Sequence, residues 1–290
     1  MPLVGAAILP HGSMVLDKSR PELPAGTAEI HDMSMRTAQR VRAMQPDIII
    51  LHTPHSICLS NSLGVYLNPS AAGNAKWMGA WEKFAVAVRL ANEEAKSLLV
   101  HLQQAEVAAE GIIAFANFDI PMRWSEVIPL WFITQALGGD IGPRDETAGV
   151  PAEPAPGQPR IILLTEGCGG GTGASSADRA AVSPGKIPET LRTGAEIRNW
   201  ANQQTERIVF LGSVDLAHGH GNSRCPQLPD GSGPDPRYRN PRYEEPLHDA
   251  ESFDEAMQCV IPPELLFLLR QILPPPARAR ASAVPVQQCV

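Results

Sequence analysis

Residues 46–56 read PDIIILHTPHS. Asp47–Leu51 is a nearly unbroken run of Ile and Leu, the composition of a strand buried on both faces of a parallel sheet. It runs on to Pro54-His55-Ser56. The same pattern stands at the N-terminus, where residues 4–12 read VGAAILPHG and Val4–Leu9 leads into Pro10-His11-Gly12. Proline has no ladder N–H and so ends strand pairing. The small residue after each histidine leaves space beside the imidazole. In an open α/β sheet, ligands bind outside the carboxyl ends of the strands, so both histidines stand where function concentrates.

Working outward, residues 28–44 (AEIHDMSMRTAQRVRAM) carry apolar positions at helical spacing. Residues 75–108 read as helix with an interruption near Gly79, Ile112–Ala116 as a third strand, and Val127–Leu137 as a buried helix. RIILLT at 160–165 and RIVFLG at 207–212 are two more strands, with a helix over Glu189–Thr205 between them. Strands alternating with helices predict an α/β layered sandwich: a mostly parallel or mixed central sheet flanked by helices. Residues 138–159 and 221–247 read as loops rich in Gly and Pro, and a helix is expected over Ser252–Ile272. The organisation expected is one catalytic domain over 1–273 and a Pro/Ala-rich tail over 274–290.

With 43% hydrophobic and 19% charged residues, the composition is that of a globular protein. A net charge of −7, with no Lys/Arg block, gives no reason to expect a nucleic-acid partner. The cysteines, Cys58, Cys168, Cys225, Cys259 and Cys289, are odd in number and form no CxxC pair, which fits free thiols in a reducing compartment. No apolar stretch reaches the ~18 residues of a membrane span, and no basic segment precedes an apolar core at the N-terminus. A cytoplasmic location and no membrane contact are expected.

A third histidine cluster follows the last strand. GSVDLAHGHG places Asp215, His218 and His220 just past Gly212. Imidazole is the commonest metal ligand near neutral pH, and two His with one carboxylate on one face of a metal is the pattern of non-heme Fe(II) oxygenases. Acidic candidates for the carboxylate are Asp215, Glu244, Glu245, Asp249, Glu251, Asp254 and Glu255. Spacing does not choose among them.

ILPHG, TPHS and GSVDLAHGH, in that order and followed by an acidic segment ending in Phe253-Asp254, resemble the class III extradiol ring-cleavage dioxygenases. That superfamily includes the catalytic subunit of protocatechuate 4,5-dioxygenase and the Memo-like proteins. The resemblance covers roughly residues 3–270 through four short motifs. It implies that His11 and His55 bind Fe(II), with Zn2+ or Mn2+ as alternatives. It implies a third ligand directly before the Phe-Asp pair, where this chain has Ser252; Glu251, one position earlier, is the candidate here, with Glu244 or Glu245 as the fallback. It makes His218 the acid-base residue, which Asp215 would orient. It further implies a small aromatic substrate, a catechol or aminophenol, with O2 as co-substrate, in a homo-oligomer (a dimer) or with a second small subunit. The chain departs from the family at RWSEVIPL, where Trp124 stands in place of a histidine. Two other functions suit the same scaffold: a Memo-like metal-binding or redox protein, with Cys225 or Cys259 as ligand, and a Zn2+ hydrolase with a bound water.

The remaining features have plainer readings. His52 points away from His55 by strand alternation, and His31, His101 and His248 read as surface or packing residues. GCGGGTG at 167–173 lacks the Gly-Lys-Ser/Thr ending of a phosphate loop. Trp77, Trp81 and Trp131 read as core. Arg237, Arg239 and Arg242, interleaved with Tyr238 and Tyr243, read as a solvated loop that could meet a substrate carboxylate.

Overall fold

A computed structural model describes residues 2–19, 27–57, 59, 62–76, 80–115, 118–138, 158–165 and 187–214. They form a mixed α/β fold. The larger sheet has the order β1-β9-β2-β8-β3-β6. Its strands are β1 (Leu3–Leu9), β2 (Ile48–Thr53), β3 (Leu63–Tyr66), β6 (Ala109–Ile112), β8 (Arg160–Thr165) and β9 (Ile208–Ser213). β1, β9, β2 and β8 run parallel, β3 pairs antiparallel with β8, and β6 is parallel to β3. A smaller sheet has the order β5-β4-β7, from β4 (Ser70–Asn74), β5 (Ala85–Arg89) and β7 (Ile120–Met122).

The apolar run at 48–51 is explained by its place. β2 lies between β8 and β9, so neither edge nor face meets water. Ile49 and Leu51 enter one core with Ile161, Leu163, Val209 and Leu211. Ile48 and Ile50 enter the other with Ile162, Leu164 and Ile208. Each core is closed by helices. On the first face lie α1 (Thr27–Ala43) and α3 (Trp124–Ala136), through Ala38, Val41, Val127, Ile128 and Trp131. On the second lie α2 (Asn92–Gln104) and α4 (Ile187–Ala201), through Ala95, Leu98, Leu102, Ile197 and Trp200.

The reading of residues 75–108 as helix is corrected. Of its described residues only Asn92–Gln104 are helical; Ala85–Arg89 is the strand β5, paired antiparallel with β4. The hairpin between them closes through Ala75 N–H on the Phe84 carbonyl (2.8 Å) and Phe84 N–H on the Trp81 carbonyl (3.1 Å), with Trp81 at a left-handed φ of 72°. Ala, Lys and Glu lend the stretch helix propensity, but burial of Ala85–Val88 and pairing override it. The third strand is Ala109–Ile112 rather than Ile112–Ala116; the chain beyond it turns at Phe115, with φ 53°. The helix expected to reach Thr205 ends at Ala201. No helix among the described residues is long and apolar enough to cross a membrane.

Candidate metal centre

The site begins with strand order. β9 lies between β1 and β2, so the carboxyl ends of these two strands flank the end of β9. Neighbouring strands are about 4.7–4.9 Å apart, which separates the ends of β1 and β2 by roughly 10 Å. In both, pairing stops at the residue before the proline, at Leu9 opposite Ser213 and at Thr53 opposite Thr165. The two loops then converge. The His11 and His55 rings lie 4.9 Å apart, centroid to centroid, at 87°. His11 is 3% exposed and His55 is half-buried.

One residue of α3 ties the two loops together. The Ser125 hydroxyl donates to the His55 carbonyl at 2.6 Å, and the Ser125 carbonyl accepts the Ser213 hydroxyl at 2.5 Å. Ser213 Oγ in turn lies 3.3 Å from His11 Nδ1. Ser125 and Ser213 are both fully buried. The residue four positions on is Pro129, inside the helix, which has no N–H to close the helical ladder, so no ladder donor from that position shares the Ser125 carbonyl.

Glu126, next in α3, is a buried carboxyl that motif reading missed. It accepts the Arg123 backbone N–H at 3.1 Å, half of a capping box, and its Oε2 lies 3.0 Å from Ser125 Oγ. It also bonds the Ser56 side chain. The Ser56 hydroxyl is 2.5 Å from the phenol of Tyr66, which accepts the Ile57 N–H at 3.0 Å. Burial pushes the Glu126 carboxyl above its ordinary range, while hydrogen bonds from Ser56 and Arg123 draw it back. Burial likewise raises the Tyr66 phenol. The sequence signal was present: a single charged residue in a helix that is otherwise mostly apolar, three residues after its N-cap.

The two small residues after the histidines differ in role. Ser56 is a hydrogen-bonding member of this network. Gly12 has ordinary extended angles (φ −69°, ψ 122°), and a Cβ there would meet no described atom within 4 Å.

Trp124, at the position where the resembled family carries histidine, lies against His55, with ring centroids 5.9 Å apart at 36°. No protein-family model matches the chain, and no curated protein sequence matches it.

Of the residues singled out by sequence, His11 and His55 are brought together. Asp215, His218, His220, Glu244, Glu245, Glu251, Cys225 and Cys259 lie outside the described residues. Among the described residues no third His, Cys, Asp or Glu completes a metal-binding group. His52 stacks on Phe210 on the opposite face of the sheet, 6.5 Å between centroids. His31 Nδ1 meets the Val15 carbonyl at 2.7 Å, and His101 pairs with Glu196 at 3.0 Å. Trp131 packs in the core, edge-on to Phe84.

The described pair fits a metal. Two imidazoles that share one ion, each about 2.0–2.1 Å from it, must bring their rings to a few ångströms. Imidazole donors suit iron and zinc, whereas manganese favours oxygen donors. His11 and His55 could supply two donors of such a site.

Proposed function

We propose that this protein is a cytoplasmic non-heme Fe(II) extradiol dioxygenase acting on a catechol- or aminophenol-type ring. The observation that carries the reading is the edge-to-face pair of His11 and His55 at the ends of two strands separated by one. Glu251 is the third ligand in this reading, with Glu244 or Glu245 as the alternatives.

Bound Fe(II) supplies a template for ring and O2 and a path for electrons between them. The protein does the rest. His11 and His55 hold the ion from the strand ends. Trp124, beside His55, forms an aromatic wall against which a planar ring packs. His218 takes a proton from a substrate hydroxyl and returns it to oxygen as the ring opens, a task suited to a group whose pKa lies near working pH. Asp215 orients His218. Both atoms of O2 enter the product, and the bond beside the two heteroatoms breaks. The chain works as a dimer or with a second small subunit.

The test is oxygen uptake by protein loaded anaerobically with Fe(II) and offered a panel of catechols and 2-aminophenol. The expected result is O2 consumption with a yellow ring-fission product, lost in His218→Ala while the metal stays bound. Fe(II)-loaded protein that consumes no O2 with any member of the panel contradicts the reading.

A further inference from the structure

We propose that Ser213 is a positioning residue that fixes His11 with its proton on Nδ1, and that Pro129 favours this by keeping a helical N–H off the Ser125 carbonyl that the Ser213 hydroxyl uses.

A serine hydroxyl has one proton and two acceptor lone pairs, and a carbonyl oxygen only accepts. Ser213 Oγ is 2.5 Å from the Ser125 carbonyl oxygen. Two oxygens that close are bonded only if the hydroxyl proton lies between them, so the Ser213 proton is committed to Ser125. Towards His11 Nδ1, at 3.3 Å, Ser213 Oγ then has only lone pairs to offer. The bond forms only if Nδ1 carries the proton. In a neutral imidazole the other nitrogen, Nε2, then holds the lone pair, and the hydrogen bond at one ring nitrogen decides which nitrogen a metal takes.

The upstream end of the relay is backbone chemistry. In a regular helix the N–H of residue 129 would bond the carbonyl of residue 125. Proline at 129 has no N–H, so the Ser125 carbonyl faces Ser213 without that competitor. A proline within a helix is costly, and here it frees a carbonyl that a neighbouring strand uses. Ser125 also donates to the His55 carbonyl, so the first turn of α3 fixes the His11 tautomer and the backbone of the His55 loop together.

The inference rests on the proposed function only in its consequence for metal affinity, since the tautomer itself is read without metal. In metal-free protein labelled with 15N at histidine, long-range nitrogen–proton correlation spectra distinguish protonated from unprotonated ring nitrogens. The His11 signals are assigned by their loss in His11→Gln, at a pH where the ring is neutral. The expected result is a protonated Nδ1 and a bare Nε2. Ser213→Ala should mix the two tautomers and weaken Fe(II) binding about 10–100-fold, while Ser213→Thr, which keeps the hydroxyl, should restore both. Pro129→Ala should move the tautomer balance the same way by less in a folded protein, because the restored N–H shares the Ser125 carbonyl with the Ser213 hydroxyl. A wild-type His11 protonated on Nε2, or a tautomer unchanged in both Ser213→Ala and Pro129→Ala, overturns the inference and leaves the oxygen-uptake test of the function standing.

Discussion

The Trp124 indole lies tilted against the His55 imidazole, 5.9 Å between centroids at 36°. Both side chains are half-buried, and Trp124 packs against the first core as well as against His55. An aromatic pair contributes about 0.5–1.5 kcal/mol beyond the area it buries. Trp124→Ala should therefore lower the free energy of unfolding by about that much or more in urea titrations. In the proposed reaction it should raise KM for the aromatic substrate more than it lowers kcat, with Trp124→Phe in between. Unchanged stability and unchanged KM in Trp124→Ala would remove the indole from the site.

Glu126 makes a prediction about pH. Its carboxyl is held above the ordinary value of 4.5, chiefly by burial. The folded chain then binds this proton more tightly than the unfolded chain. The stabilisation it gives is complete below the ordinary value and is lost as pH rises through the raised one. Glu126→Gln keeps the shape and cannot ionise. Its stability relative to the wild type should rise with pH in urea midpoints taken from about pH 4 to about pH 8. A difference independent of pH would mean the carboxyl titrates alike in both states.

Two glycines should respond in opposite ways. A Cβ at Gly73 in β4 would lie 2.0 Å from the Met122 carbonyl oxygen in β7, a backbone atom that cannot swing aside. Gly73→Ala should cost roughly 1–3 kcal/mol, the usual range for overpacking, and β7 leads directly into the Trp124–Glu126 turn. Gly12→Ala meets no described atom within 4 Å. It should unfold at nearly the wild-type urea concentration. An equal loss in both variants would count against the close approach of β4 and β7.

How much of this was legible in the sequence depended on burial. β2, β8 and β9 were read because central parallel strands are covered on both faces and are written as apolar runs; β1, at the sheet edge and partly exposed, was read from its short apolar run into Pro10. The smaller sheet was not, because β4 is Ser-Ala-Ala-Gly-Asn and β5 Ala-Val-Ala-Val-Arg, and small residues carry little strand signal. Its strands owe their conformation to pairing partners distant in sequence, such as Ile120–Met122 against Ala71–Gly73. The histidine pair was legible because the motif repeats at two strand ends. The relay from Pro129 to His11 was not, since its partners stand on separate elements and meet only after folding.

The central claim is that His11 and His55 deliver their imidazoles to one ion. Anaerobic Fe(II) titration followed by equilibrium dialysis tests it on the wild type, His11→Ala and His55→Ala. The account predicts one ion per wild-type chain and loss of that ion in both variants, each still folded by circular dichroism. Wild-type affinity in either single variant would contradict it.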